Sequence, residues 1–236
     1  MENLVVIQKN ETFSNSKVLA VGTDNEHNSV IRLVRKHKDT LEEFGTLRFE
    51  IEKTKGRPME IVYLNESQTY FLMTAMKNSE KVVRFKKELV KEFMRMRKAL
   101  ISIQVMQQNK EWQQARLDGK AVRKETTDAI KDFVEYAVMQ GSKSAVRYYG
   151  NITTMENKAL FILEQKFDNV REVLNNHQLS TIKIADRIVY ESLQEGMERG
   201  MHYKEIYKLA KERVETLATL VKPTIVISAT EIKLIE

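Results

Sequence analysis

The hydrophobic pattern of the first forty residues predicts one strand and two short helices. Apolar side chains in "ENLVVIQKNETF" are typical of a short strand. The segment "SNSKVLAVGTD" follows as a short apolar helix, with Ser14 or Ser16 as its N-cap and Gly22 as its stop. A turn at "TDNE" then leads into a charged helix, "NEHNSVIRLVRKHKD", which covers residues 25–39.

Alternating residues next predict a β-hairpin. Residues 47–52 ("LRFEIE") alternate apolar and charged positions, and residues 59–64 ("MEIVYL") form a second strand, with the basic, glycine-containing tip "KTKGRP" between them. Two short helices followed by a hairpin is the layout of a winged helix-turn-helix. In that fold the second helix lies in the major groove of DNA and the wing touches the backbone or the minor groove.

Residues 79–108 predict one long helix, because their apolar side chains recur every three or four residues over about three heptads. This helix either lies on its own domain, or it forms a two-chain coiled coil or exchanges between chains. In both cases it joins the two halves of the chain. A dimer would use the side chains of Leu89, Phe93, Met96, Leu100 and Ile103.

A polar stretch at 109–125, with Gly119 in its middle, predicts a linker between an N-terminal domain (1–108) and a helical C-terminal domain (126–236). The helices of the second half are expected at about 122–139, 154–176, 180–196 and 202–221, the second opening on Thr153-x-x-Glu156 and the third on Ser180. The tail 223–236 looks like a strand or an extended arm. The predicted fold class is α+β and mostly helical, with a winged helix-turn-helix-like N-terminal domain, a long connecting helix and a helical C-terminal domain.

Composition narrows the possible functions. The absence of cysteine excludes disulfides, thiolate metal sites and cysteine nucleophiles. No apolar run approaches the roughly 20 residues of a membrane span, and the N-terminus has no export signal, so we expect a cytoplasmic protein. The net charge is +6, and residues 1–100 carry 19 basic against 14 acidic side chains whereas the remainder carries 20 against 19. The basic excess of the first half suggests a polyanionic partner.

Signatures of enzymes are missing from the sequence. The four histidines (His27, His37, His177 and His202) have no metal-binding spacing, and neither a nucleophile elbow nor a phosphate loop occurs. "QGSKSA" at 140–145 lacks the first glycine of a phosphate loop. We therefore expect no catalytic site, no cofactor and no metal.

A helical wheel of residues 25–39 separates an apolar arc from a polar one. His27 and His37 lie on or near the apolar arc, which predicts packed histidines, and Lys38 lies off the polar face. The polar arc holds Asn28, Arg32, Arg35 and Lys36, with Ser29 at its rim. Arginine pairs with guanine, asparagine with adenine and lysine with phosphate, so this face has the chemistry to bind DNA. The alternative is an ordinary solvated helix face.

The hairpin tip adds a second basic point, formed by Lys53, Lys55 and Arg57. Arg84 and Lys87, at the start of the long helix, could add phosphate contacts or could flank a coiled coil. The helix and the tip together favour DNA binding.

Residues 14–100 resemble the phage regulatory protein Rha family. The resemblance runs through "HNSVIRLVRKH", "LRFEIEKTKGRPMEIVYL" and "NESQTYFLMTAMKNSEKVVRFKKELVKEFMRM". The residues that match the family pattern are His27, Arg32, Tyr63, Leu64, Leu72, Met73, Phe85, Lys86, Val90, Phe93 and Met96. The second half, in "QGSKSAVRYYGNITTMENKALF" and "HYKEIYKLAKERVE", is similar to a helical module of phage antirepressor-like regulators. The resemblance implies a phage or prophage protein that binds DNA and regulates transcription or the choice between lysis and lysogeny.

The sequence thus predicts a non-enzymatic, dimeric regulator that binds double-stranded DNA in the cytoplasm of a bacterial host. The alternative is an antirepressor or protein-interaction module that binds a repressor or host protein through its helical half.

Overall fold

The computed structural model describes residues 3–8, 10–53 and 56–227 of the chain. Helices dominate this part of the chain and a small antiparallel sheet accompanies them, so the predicted class, α+β and mostly helical, is confirmed. The chain forms two compact units, the first ending at Ser102 and the second beginning at Ile103.

A four-stranded antiparallel sheet is the framework of the first unit. Its strands are β1 (Val6–Gln8), β2 (Glu11–Asn15), β3 (Arg48–Glu52) and β4 (Met59–Asn65), in the order β1-β2-β4-β3. The predicted N-terminal strand is therefore two strands, which turn at the left-handed residue Asn10 (φ 62°). The hairpin is confirmed, and its last pair before the tip joins Glu52 and Met59.

Five helices begin in the described part of the first unit: α1 (Ser16–Thr23), α2 (His27–Lys36), α3 (Lys38–Glu43), α4 (Glu66–Thr74) and α5 (Glu80–Gln108). The two predicted helices are present as α1 and α2, but a third helix, α3, also precedes the hairpin, and neither α3 nor α4 was predicted. The predicted cap of α1 was wrong. Asn15 Oδ1, rather than Ser14 or Ser16, accepts from the N–H groups of Lys17 and Val18.

Helix α5 matches the predicted long helix, and its apolar seam is buried inside the first unit. Leu89 and Phe93 are 0% exposed and Met96 is 1% exposed. The Phe93 ring packs edge-to-face on Tyr70, with 5.7 Å between centroids. This burial accounts for the seam within one chain. Leu100 and Ile103 remain partly exposed, and dimerisation through the seam stays a prediction.

The segment predicted as a polar linker is helical. Residues 110–125 are the first half of α6 (Lys110–Met139), which Asn109 caps. Two side chains of this segment are buried in the second unit. Trp112 Nε1 donates to the carbonyl of Leu174 at 2.8 Å, and Arg116 pairs with Glu172 at 2.7 Å. These partners lie about sixty residues further along the chain, so the local polar composition did not reveal them.

The α-helices and strands that follow in the described part of the second unit are α7 (Tyr148–Leu160), β5 (Phe161–Leu163), α8 (Asn176–Glu198), α9 (Tyr203–Val221) and β6 (Thr224–Val226), accompanied by two 3-10 turns at Ala145–Arg147 and Val170–Glu172. The predicted helix 154–176 was wrong. Helix α7 ends at Leu160 because residues 161–163 extend and pair in parallel with residues 224–226. Helix α8 begins with an Asn175–Gln178 capping box, not at Ser180. The predicted terminal strand is present at 224–226, and residues 228–236 lie outside the described residues.

An ion network is buried among these helices. Glu156 and Asp186 are 0% exposed, and Arg123 donates to both, at 3.0 Å and 2.8 Å. Arg171 makes two hydrogen bonds to Asp186, and Arg123 also donates to the hydroxyl of Thr153. Glu156 Oε1 has no hydrogen-bond partner among the described residues.

Candidate nucleic-acid interface

Helices α1 and α2 are joined by a turn of residues 24–26. Asp24 adopts the left-handed conformation (φ 58°, ψ 38°), and its N–H bonds to the end of α1. The Asn25 side chain donates to the carbonyl and hydroxyl oxygens of Thr23 at 3.2 Å and 2.9 Å. Asparagine and aspartate favour such turns because their side chains bond locally and tolerate positive φ. The turn therefore has a defined geometry, although it contains no glycine.

The buried hydroxyl of Ser16 connects α1, α2 and the sheet. Ser16 Oγ lies 2.9 Å from His27 Nε2 at the start of α2, and it accepts the N–H of Val62 in β4 at 3.1 Å. Burial and, secondly, the charge of Lys17 lower the pKa of His27. A lowered pKa favours the neutral ring, whose Nε2 can accept the hydroxyl proton. This pair fixes the first turn of α2 against the rest of the unit.

His37 fixes the other end of α2. Its ring lies edge-on to Phe71, with 5.7 Å between centroids. Both histidines are partly buried and packed, as the helical wheel predicted.

The polar face of α2 points to solvent. Val30, Ile31 and Val34 are buried on the opposite face. The five predicted contact residues are all exposed: Asn28, Ser29, Arg32, Arg35 and Lys36. The structure thus brings these five side chains together on one exposed surface.

One of the five already has an acidic partner. Arg35 Nη2 donates to both carboxylate oxygens of Glu60 in β4, at 3.0 Å and 3.2 Å. Arg32 Nε, by contrast, makes only a 3.4 Å bond to the carbonyl of Asn28 in its own helix. The sequence did not reveal the Arg35–Glu60 pair, because it depends on how β4 packs beside α2. Arg32 and Arg35 are therefore not equivalent.

The strand residues next to the hairpin tip lie close to the C-terminal end of α2. Glu60 pairs with Ile51 in the sheet, one step from the last pair of the hairpin, and Glu60 also binds Arg35. Lys53 and Arg57 are exposed at the tip, whereas Lys55 lies outside the described residues.

The strands behind the tip are acidic. Glu52 binds Lys17 at 3.4 Å, and Glu50 is exposed on the same strand. Among the described residues of the hairpin beyond Arg48, the basic side chains are confined to the tip, and Arg48 itself pairs with Glu11 at 3.0 Å.

The first turns of α5 lie near the turn between α1 and α2, and Arg84 and Lys87 are exposed on this part of the helix. Lys81, one helical turn before Arg84 and Phe85, pairs with Asp24 at 2.8 Å, and the ring of Phe85 lies against Gly22. The neighbouring Lys86 differs from both, because its ammonium group points inwards and donates to the Met73 carbonyl and, at 2.8 Å, to Asn78 Oδ1. Burial lowers the pKa of Lys86.

No group of three or more histidine, aspartate or glutamate side chains in the described ranges could hold a metal ion. No helix there has the length and apolar character needed to cross a membrane.

Comparison with known protein families finds a match within the first unit. Residues 14–98 match the family model described as phage regulatory protein Rha, which confirms the resemblance of this part of the chain. No curated protein and no solved structure matches the chain. The match supports a role as a phage regulator. Residues 99–236 lie outside the match, so the likeness of the second half to antirepressor-like regulators stays a prediction.

Proposed function

We propose that this protein is a non-enzymatic transcriptional regulator of phage genes that binds double-stranded DNA in a sequence-specific manner. Helix α2 would enter the major groove and the hairpin tip would contact the backbone or the minor groove. The output would be control of phage gene expression, including the choice between lysis and lysogeny, in the cytoplasm of the bacterial host.

The observation that carries the proposal is the exposed polar face of α2. Asn28, Arg32 and Lys36 are exposed on one face of a helix whose opposite face is buried and whose two ends are fixed by packed histidines. A rigid helix that exposes arginine and asparagine side chains on one face suits readout of base edges.

Arg32 is the side chain that the proposal singles out. Of the eleven residues that carry the family resemblance, ten are buried or partly buried, and Arg32 alone is exposed. Packing within the first unit accounts for the ten others, and the exposed guanidinium group of Arg32 is available to a ligand.

The Arg35–Glu60 pair gives the proposal a sharper test. Arg35 must leave Glu60 before it can bind DNA, and Glu60 itself repels phosphate. Glu60→Gln should therefore strengthen DNA binding, and Arg35→Ala should cost less affinity than Arg32→Ala.

The experiment is an electrophoretic mobility shift assay with the full chain. The DNA ligand is first obtained by selection from a random library. Arg32→Ala should cost about 1–3 kcal/mol of binding free energy and relax the base preference, whereas Lys53→Ala should weaken binding to all sequences. Arg199→Ala, an exposed arginine of the second unit, is the charge-matched control and should leave binding unchanged.

Two results would refute the proposal. One is a selection that enriches no sequence, and the other is equal binding by the wild type and Arg32→Ala at low salt. We also propose a homodimer, because two recognition helices about one DNA turn apart read more sequence than one. A palindromic motif in the selection would support it, and a single asymmetric half-site would contradict it.

Exposed apolar side chains favour the second candidate function, an antirepressor or protein-interaction module. Phe49 is 46% and Ile51 73% exposed on β3, which is an edge strand of the sheet. Retention on heparin and on calf-thymus DNA separates the candidates. A DNA-binding regulator is retained strongly and released by salt, whereas a module that binds a repressor or host protein is retained weakly.

A further inference from the structure

Helix α5 has an exposed apolar strip about a third of a turn around the helix from its buried seam. Val83 and Ile101 are each 53% exposed and Met94 is 48% exposed. They are eleven and seven residues apart, which places them within an arc of about 20° at 100° per residue. The strip is about 27 Å long at 1.5 Å per residue. Large apolar side chains that line up in this way mark an interaction surface more often than singly scattered ones do.

A row of cations borders this strip. The same wheel places four basic side chains between about 40° and 100° from the apolar arc, accompanied by the single acidic residue Glu80. The four are Arg84, Lys87, Lys91 and Lys98, and all are exposed.

Two cations of α5 that face the first unit have acidic partners outside α5, unlike the cations in this row. Lys81 pairs with Asp24 at 2.8 Å, and Arg97 pairs with Glu66 on α4 at 3.4 Å. In the outer row, Arg84 and Lys91 pair only with glutamates of α5 itself, and within the described part of the chain Lys87 and Lys98 have no ion pair. The fold thus uses the inner cations and leaves the outer ones to solvent.

We propose that this outer face of α5 binds an acidic amphipathic helix of another protein. Such a helix would bury apolar side chains on the strip and place carboxylates opposite Lys87 and Lys98. A second copy of this chain fits less well, because it would bring two cation rows together. DNA also fits less well, since a phosphate backbone offers nothing to three exposed apolar side chains. The proposal is independent of DNA binding by α2, and it reassigns Arg84 and Lys87 from DNA to protein contact.

The test measures fluorescence anisotropy of labelled synthetic helices with the full chain. The first peptide has a leucine face flanked by glutamates, the second has lysine in place of every glutamate, and the third keeps the glutamates but has serine in place of every leucine. The first should bind and the other two should not.

Variants then assign the binding to this face. Met94→Asp should weaken binding of the first peptide about tenfold or more, which corresponds to about 1.4 kcal/mol. The double variant Lys87→Glu, Lys98→Glu should lose the acidic peptide and gain the lysine peptide. Lys120→Glu with Lys131→Glu, two exposed lysines of the second unit, makes the same change in net charge and should bind like the wild type. Circular dichroism verifies that every variant is folded.

Three outcomes would overturn the proposal. The first is an absence of binding to the first peptide, and the second is equal binding of the serine peptide. The third is displacement of the first peptide by duplex DNA that is equally effective with the wild type and with Met94→Asp. The last would identify the row of cations as a phosphate-binding surface.

Discussion

Replacing Glu156 with glutamine should change how the stability of the second unit depends on pH. Burial and, secondly, the negative charge of Asp186 raise the pKa of Glu156 to about 8 from an ordinary 4.5, although Arg123 and Arg171 oppose the rise. The folded state therefore holds a proton that the unfolded state releases. The stabilisation from this proton is complete below pH 4.5 and is lost as the pH rises through about 8.

The magnitude follows from the two pKa values. Each pH unit between them corresponds to about 1.4 kcal/mol, which sets an upper limit of about 5 kcal/mol for the loss. Glutamine is neutral at every pH, so Glu156→Gln removes this pH-dependent contribution to the free energy of unfolding. We expect the wild type to lose a few kcal/mol more stability than the variant between about pH 5 and pH 8.

The assay is urea unfolding at several pH values, followed by tryptophan fluorescence. Trp112 is the only tryptophan of the chain and is buried in the second unit, so its signal reports this unit alone. Glu125→Gln, which removes an exposed carboxylate of the same unit, controls for the loss of one negative charge. Parallel curves for the wild type and Glu156→Gln would show that Glu156 is ionised in the folded state, which would refute the reasoning.

Three further predictions concern the packing that holds the candidate interface. Gly22→Ala should destabilise the protein by about 1–3 kcal/mol in thermal unfolding, because the new Cβ would lie 2.1 Å from the Phe85 ring. Gly119→Ala, a helical position with no atom within 4 Å of the new Cβ, is its control and should instead stabilise by about 0.5–1 kcal/mol. Ser16→Ala should cost about 1–3 kcal/mol in urea unfolding, since it leaves the buried N–H of Val62 without an acceptor, and an unchanged midpoint would contradict this. The first unit should become less stable as the pH falls below about 6.5, because folding lowers the pKa of His27. The free energy of unfolding, measured against pH, should lose this dependence in His27→Gln.

Helix α2, the hairpin and α5 could be predicted because their patterns are local, whereas the short helices α3 and α4 were not predicted. Helix α2 has a complete apolar arc, so the wheel assigned its buried and exposed residues before any tertiary contact was known. The hairpin and α5 were predictable for the same reason. Apolar side chains recur at every second residue in the hairpin strands and at every third or fourth residue in α5, and such spacings can be read from neighbouring residues alone.

Features that depend on distant partners could not be predicted. Thr153-x-x-Glu156 matches a capping box, yet Glu156 is buried against Arg123 and Asp186, which are 33 and 30 residues away in the chain. The end of α7 at Leu160 depends on a strand partner more than sixty residues later. The Arg35–Glu60 pair could not be predicted for the same reason, because the charge of Arg35 is neutralised by a glutamate of strand β4.

That pair determines how strongly salt should weaken DNA binding. Each phosphate neutralised by a cation contributes about −0.9 to the slope of log K against log salt. With Arg35 held by Glu60, the candidate cations of one chain are Arg32, Lys36, Lys53, Lys55 and Arg57. The slope can then be no steeper than about −4.5 for one bound chain, and about −9 for a dimer.

Glu60→Gln frees Arg35 and should steepen the slope by up to about 0.9 per bound chain. The measurement is a salt titration of both proteins on the selected DNA. A wild-type slope clearly steeper than −4.5 identifies a dimer or a larger phosphate contact. An identical slope for Glu60→Gln would show that Arg35 does not bind phosphate even when it is free, and would limit the contact to the remaining residues of α2 and the tip.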